Sequence, residues 1–171
     1  MSRSSAEAPD TTERRAVRWG QYGWLFGLAG LAIILDQVTK ALVAAHLKGH
    51  PLKLLGGGLY VVYARNTGAA FSIFRSGGAV FVVIAVVVSA GIIVYFRRVT
   101  ESPLPVRIAL GLILGGALGN LIDRVRLGFV VDFIDLRWWP VFNIADSCIV
   151  IGTVLLIVVA FLQSENGGNR R

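Results

Sequence analysis

The amino-acid sequence predicts an all-α membrane protein: four transmembrane helices, with a small extramembrane β-sheet between helices 1 and 2. Three observations lead there. Of the 171 residues, 55% are apolar and only 16% charged, and the mean hydropathy is +0.68, values that belong to membrane proteins. The apolar residues gather in four stretches of 18 to 22 residues, a length that crosses a hydrocarbon core. The polar residues of unusual type fall where those stretches begin and end.

In chain order, residues 1–21 mix Ser, Thr, Glu, Asp, Pro and Arg without apolar periodicity and read as a disordered cytoplasmic tail that includes Arg14, Arg15 and Arg18. The first span runs from Trp24 to Ala45. Basic residues precede it and Val43-Ala44-Ala45 has the small side chains of a cleavage site, so a removable signal peptide competes with a retained anchor. Asp36 and Lys40 favour the anchor, because a secretory apolar region rarely carries an acid ahead of its cleavage site. Lys53-Leu54-Leu55 and Leu59 to Tyr63 flank Gly56-Gly57-Gly58, which predicts two short strands around a glycine turn. The second span, Ala79 to Phe96, carries no charge. The third runs from Leu104 to Ile122, with Arg107 close enough to its start to snorkel. The fourth runs from Phe142 to Leu162 and holds Asn143, Asp146 and Ser147 in its first turns. Arg137-Trp138-Trp139-Pro140, just before it, has the aromatic character of a bilayer interface. Residues 164–171 read as a second cytoplasmic tail, which leaves 22–163 as the membrane domain.

The formal charge of +7 does not indicate a nucleic-acid partner, because the cations sit beside apolar runs and form no single stripe. Arg97, Arg98 and the terminal arginines have no evident role except anchoring, whereas the cations on the other side fall within polar motifs. Both termini are therefore placed inside. The single cysteine, Cys148, excludes an internal disulfide framework.

Four spans in series alternate direction, so the end of the first, the start of the second, the end of the third and the start of the fourth share one side. The unusual polar clusters lie there: Asp36-Gln37-Val38-Thr39-Lys40, Arg65-Asn66-Thr67-Gly68-Ala69-Ala70-Phe71-Ser72, Asn120 to Arg124, and Asn143 to Asp146. Asp132 and Asp135 lie in the loop joining the last two spans. An acid near the centre of a membrane helix costs about 2.5–3.5 kcal/mol on insertion scales, and less near the interface. Their convergence on one face therefore indicates a site.

Each cluster also has a structural reading. Asp36 and Lys40, one helical turn apart, can satisfy each other as an ion pair. Gly111, Gly115 and Gly119 recur at the spacing that lets helices approach closely, and packing is the preferred reading. Asn66-Thr67-Gly68 is turn-forming, and Asp123-Arg124 can anchor at the interface. Asp132 and Asp146 resist such readings, because each stands among apolar neighbours without a sequence-local cation. Desolvation raises the pKa of such carboxyls, and two brought together share a proton, the arrangement of aspartic hydrolysis. The same acids would also serve a proton or cation relay, although Ala79 to Phe96 offers a relay no station in mid-membrane. A structural assembly factor is the third reading, for which Gly111 and Gly115 would matter more than the aspartates. Other chemistries fit less well. His46 and His50 have zinc-pair spacing, but Leu47 stands where His-Glu-x-x-His needs its acid. Ser72 or Ser147 with Lys40 as base lacks a Gly-x-Ser-x-Gly elbow. Cys148 reads as a small apolar residue. An acidic metal cluster would have to draw on Asp123, Asp132, Asp135 and Asp146.

At these residues the sequence resembles the lipoprotein signal peptidases, the type II signal peptidases of bacteria. The resemblance rests on Asp36-Gln37-x-x-Lys40, Arg65 to Ser72, Gly115-Gly116-Ala117-x-Gly119-Asn120-x-x-Asp123-Arg124, Val130-Val131-Asp132-Phe133 and Phe142-Asn143-x-Ala145-Asp146, and extends from about Trp24 to Leu162. It implies an aspartic endopeptidase of the bacterial cytoplasmic membrane, with no metal and no cofactor and with its site at the outer leaflet. The enzyme would cut a prolipoprotein just before a cysteine that already carries diacylglycerol. Asp132 and Asp146 would be the catalytic pair. Asn66, Asn120, Arg124 and Asn143 would hold the substrate backbone and support the pair, and Asp36, Lys40 and Asp123 would stabilise the site. The expected partners are diacylglyceryl-modified prolipoproteins and membrane lipid, with a monomer expected and no nucleic acid.

Overall fold

The structure is a computed structural model that describes residues 11–68, 77–98 and 102–168. Residues 1–10 of the predicted tail, Ala69 to Ser72 of the second polar motif, and 169–171 lie outside the described residues. The elements in order are α1 (Thr11–His46), β1 (Leu52–Leu54), β2 (Leu59–Asn66), α2 (Gly77–Arg98), α3 (Leu104–Leu127), β3 (Val130–Asp135) and α4 (Ile144–Gly168). Among the described residues three helical stretches are long and apolar enough to cross a membrane: Tyr22–His46, Leu104–Leu127 and Ile144–Ser164. The expected second span is a helix as predicted, but its apolar run, Val80–Phe96, is shorter.

The helices are packed inside out relative to a soluble bundle. On α1, Leu31, Ile34, Leu35, Val38 and Leu42 are exposed, as are Val150, Ile151, Val154, Ile157, Val158 and Phe161 on α4. Those faces need an apolar solvent. The interior is built on α3, which packs against α1, α2 and α4. Its glycines set the approach: a side chain at Gly115 would come within 2.7 Å of the Ala29 carbonyl oxygen on α1, and one at Gly116 would collide with the Ala145 carbonyl on α4. The packing reading of these glycines therefore agrees with the structure. Leu25, Ala29, Ile92, Phe96, Leu110 and Leu114 form the apolar core, with Tyr22 set edge-on to Phe96 at 5.4 Å.

The sheet differs from expectation in having a third strand. β1 and β2 pair antiparallel through Leu52↔Val61, Lys53↔Tyr60 and Leu54↔Leu59, and the chain turns between them through Gly56 and Gly57 at φ 65° and 102°. β3, from the connection between α3 and α4, pairs antiparallel with β2 and completes the order β1-β2-β3. The sheet is thus not confined to the segment between helices 1 and 2, and Asp132 lies on a strand instead of in a loop. The physical reason is legible afterwards: Val130, Val131, Phe133 and Ile134 are β-branched or aromatic, and the free edge of β2 supplies the backbone partners. Gly128 in the left-handed conformation (φ 79°) ends α3 and lets the chain turn into β3.

Helix runs past both ends of the expected 22–163 domain: α1 is helical from Thr11, within the tail expected at 1–21, and α4 continues to Gly168. Glu13, Arg14, Arg15 and Ala16 are good helix formers, and extending a helix already nucleated by a membrane span needs no new nucleus.

Candidate active site

Each element delivers its polar residues to one end of the bundle. α1 supplies Asp36 and Lys40 from adjacent turns of one face, and α3 supplies Asn120, Asp123 and Arg124 from its last turns. Asn143 and Asp146 come from the start of α4. β2 and β3 contribute Asn66 and Asp132, which share a sheet face because Ala64 pairs with Asp132 and Asn66 with Val130.

Lys40 is the electrostatic centre. Its ammonium lies 2.8 Å from Asp36 Oδ2 and 2.9 Å from both Asp123 Oδ2 and Asn120 Oδ1, which uses all three donors. Lys40, Asp36 and Asp123 are all buried. The ion pair expected within α1 is therefore present but also reaches α3. Asp36 Oδ1 accepts the Ala145 N–H at 3.0 Å, and Asp123 Oδ2 accepts the Val131 N–H at 3.0 Å.

The two aspartates without local cations meet through Asn143. The Asn143 side-chain oxygen accepts the Asp146 N–H at 2.8 Å, and Asp146 Oδ2 accepts the Asn143 N–H at 3.2 Å, a reciprocal capping box that starts α4. Asn143 Nδ2 donates to Asp132 Oδ1 at 2.7 Å and to Asn120 Oδ1 at 3.1 Å. One asparagine thus fixes both carboxyls. The second Asp132 oxygen accepts from Asn66 Nδ2 at 2.8 Å, while Asp146 Oδ1 accepts from Asn120 Nδ2 at 2.7 Å. Burial pushes the Asp132 carboxyl up to about 6; the neighbouring charge of Asp146 adds to this, and the Asn66 and Asn143 hydrogen bonds and the Lys40 charge oppose it. Such a pair can hold one proton and offer one free base.

A cavity of about 370 Å³ opens beside the pair. Asn66, Asn120, Arg124 and Asp146 form its polar end, and Phe81, Ile84, Ala85 and Val88 of α2 form an apolar wall with Ile113, Ala117 and Ile149. Arg124 stacks its guanidinium 4.9 Å from the centre of the Phe81 ring and acts electrostatically on Asp146, Asp132 and Asp123.

All nine residues expected in the site converge here. The weaker candidates do not. His46, at the end of α1, and His50, just beyond it, are exposed, and Ser72 lies outside the described residues. Ser147 Oγ donates to the Asn143 carbonyl at 3.0 Å, a helix back-bond. Asp135 is on the opposite face of β3 from Asp132 and pairs with Arg137 at 3.5 Å. Among the described residues no group of three or more His, Cys, Asp or Glu is arranged to hold a metal ion. One participant was missed: Gln37 Nε2 donates to Asp123 Oδ1 at 2.9 Å and to the Gly119 carbonyl at 3.2 Å. The signal that could have found it was its place in the motif Asp36-Gln37-x-x-Lys40.

The chain is similar to known proteins over most of its length. The family model described as signal peptidase (SPase) II matches residues 28–162. A lipoprotein signal peptidase of Syntrophomonas wolfei is 47% identical over 136 residues, covering 79% of this chain and 91% of that protein. One from Rhodococcus jostii is 40% identical and covers 99% of this chain and 85% of that protein. A solved structure described as a bacterial membrane enzyme, determined by the in meso method at 2.3 Å, superimposes with a TM-score of 0.77 at 34% identity, covering 84% of this chain and 91% of that one.

Proposed function

Because the chain belongs to the signal peptidase II family, we propose that Asp132 and Asp146 are the catalytic dyad with which it cleaves prolipoprotein signal peptides. The activity is that of the family, an aspartic endopeptidase of the membrane. The observation that carries the dyad is the double role of Asn143, which binds Asp132 through its amide at 2.7 Å and caps Asp146 through its backbone at 3.2 Å.

Asp132, pushed up to about 6, holds the proton, and Asp146 is the base. Asp146 takes a proton from a water molecule whose oxygen attacks the scissile carbonyl carbon, while Asp132 gives its proton to the carbonyl oxygen. The tetrahedral diol then collapses: the C–N bond breaks, Asp146 returns its proton to the leaving nitrogen, and Asp132 regains one from the diol. The products are a signal peptide with a new carboxyl terminus and a lipoprotein with a free amino group on its diacylglyceryl cysteine. Asn66 and Arg124, at the cavity rim, hold the substrate backbone. Asn120 and Asn143 orient the carboxyls, and Asp36, Lys40 and Asp123 stabilise the arrangement.

The apolar wall on α2 suits a substrate that is itself an apolar helix bearing acyl chains, so membrane lipid and prolipoprotein approach along the same side. α2, with 22 residues or about 33 Å, completes a four-span bundle in the cytoplasmic membrane. Both termini are cytoplasmic, the site is at the outer leaflet, a single copy suffices, and the membrane domain corresponds to about 22–163. In a processing assay on a diacylglyceryl-modified precursor, Asp132→Asn and Asp146→Asn, each folded and inserted, should lose cleavage by at least about 10³-fold. Cleavage by either variant near the wild-type rate removes the dyad. A chelator should leave the rate unchanged, and loss restored by added zinc or magnesium would show that the acids act through a metal.

A further inference from the structure

The end of the bundle that holds the site carries more cations than the site uses. Lys40 and Arg124 belong to it, whereas Lys48, Lys53, Arg65 and Arg137 are exposed beside it. The proposed orientation puts them outside, where short loops ordinarily carry few Lys or Arg, so they need a local reason. The rings of Tyr60, Tyr63 and Phe129 gather them. Arg137 lies 5.0 Å from the centre of the Tyr60 ring, and Lys53 stands opposite Tyr60 in the pairing of β1 with β2. Arg65 lies 4.9 Å from the Phe129 ring and 5.9 Å from that of Tyr63, and Lys48 lies 5.1 Å from Tyr63. Stacking on a ring orders a cation without neutralising it. Among the described residues only Arg137 of the four has a carboxylate partner, Asp135 at 3.5 Å, and its side chain is still 64% exposed. The opposite sheet face is apolar at the same place. Leu52, Val61 and Ile134 form a row across the three strands there, and Leu52 and Leu54 are exposed. Trp138 and Trp139, directly after Arg137, are exposed as well.

From this we infer that the sheet binds the phosphates of anionic lipid headgroups through Lys48, Lys53, Arg65 and Arg137. An element with an apolar face and cations on the other lies in the headgroup region, with its apolar side chains toward the acyl chains and its cations at the level of the phosphates. Charge selects the occupant. Four cations offset by one acid call for an anion, and a zwitterionic headgroup brings a cation of its own. The diacylglyceryl group of a precursor has no charge, so the lipid of the substrate does not account for them. An acidic peptide would supply the charge but would leave Leu52, Leu54, Trp138 and Trp139 without an apolar partner. The inference rests on the place of this end at a membrane surface and not on the dyad.

The tryptophans beside Arg137 report which lipid gathers there. Trp19→Phe with Trp24→Phe leaves Trp138 and Trp139 as the only tryptophans of the chain. The protein is reconstituted in vesicles of phosphatidylcholine with about 30 mol% phosphatidylglycerol, the anionic lipid that the cations would attract. In one set the phosphatidylglycerol chains are brominated, and in the other an equal amount of the phosphatidylcholine, so the surface charge is the same in both. The expected result is quenching of Trp138 and Trp139 at least about twofold stronger by the brominated phosphatidylglycerol. The ratio should fall to about 1 when Lys48→Gln, Lys53→Gln and Arg137→Gln are combined, and in about 0.5 M salt, which screens exposed charges within a few ångströms. Lys48→Arg with Lys53→Arg, which keeps the charge, should retain it. If the triple variant does not fold, Lys48→Gln with Lys53→Gln decides. A ratio near 1 in the unaltered sheet, or one that the loss of the cations leaves unchanged, overturns the inference. An acidic peptide as the occupant would give a ratio near 1, together with a KM that rises in the triple variant only for a precursor with acidic residues after its cysteine, and that result overturns it too.

Discussion

At the scale of single residues, the site works by placing acids where water is scarce and giving each oxygen a fixed donor. Asp132 and Asp146 stood out in the sequence because an acid among apolar neighbours must be compensated from elsewhere. Asn66 and Asn120 were named as their support only through the resemblance, since each reaches its acid by tertiary contact, with no local pattern to show it. Two predictions belong here. Asp132 titrates about 6 when folded against 3.8 for a free carboxyl. Its contribution to stability is therefore greatest below the unfolded value and is lost as pH rises through about 6. The same ionisation removes the proton that catalysis needs, so kcat/KM of the free enzyme should fall on the alkaline side with a midpoint near 6. A pH profile with no ionisation in that region contradicts the assignment of the proton to Asp132. The second concerns Asn143. Asn143→Ser keeps an oxygen to cap α4 but lacks the amide that reaches Asp132. It should lose about 1–3 kcal/mol of unfolding free energy from the unpaired oxygens of Asp132 and Asn120 and lower kcat by about 10²-fold; Asn143→Ala should lose about 1 kcal/mol more with the cap. Thermal unfolding and processing rates measured together check both.

At the scale of elements, the four helices were readable from their apolar runs, and three of them have the apolar length that bilayer thickness demands. β3 was not, because six residues containing two acids on opposite faces, Asp132 and Asp135, carry a weak period-2 signal, and the strand exists only through pairing with β2. The Asn143-x-x-Asp146 spacing is a capping box, so the turn that starts α4 is also the turn that places the proposed catalytic Asp146. α3 is the element that holds the rest together, and its glycines face two partners. Gly116→Ala pushes against the Ala145 carbonyl, next to Asp146, and Gly115→Ala pushes against Ala29 and Ala32, farther from the dyad. Each should destabilise by about 1–3 kcal/mol. Gly116→Ala should in addition lower kcat per folded molecule, whereas Gly115→Ala should not. Equal effects of the two on kcat would show that the α3–α4 contact does not set the dyad.

At the scale of the whole molecule, apolar side chains outward and polar groups gathered at one end suit the proposed enzyme, which would take its substrate from the bilayer and its water from the interface. The sheet and the exposed Trp138 and Trp139 mark that end. Helix continues into the terminal segments because polar composition alone does not stop a helix that a span has already nucleated. The proposed orientation predicts that, with Cys148 replaced, Lys53→Cys reacts with a membrane-impermeant maleimide in intact cells and Ser164→Cys reacts only after permeabilisation; the reverse pattern inverts the topology. The most direct measurement of the central claim compares binding and cleavage of one diacylglyceryl-modified precursor by wild type, Asp132→Asn and Asp146→Asn in the same bilayer. Both variants should bind the precursor with a Kd within about threefold of wild type and leave it uncut. Cleavage within about tenfold of wild type by either variant, or a loss of cleavage explained by lost binding, would contradict the claim that these two carboxyls perform the hydrolysis.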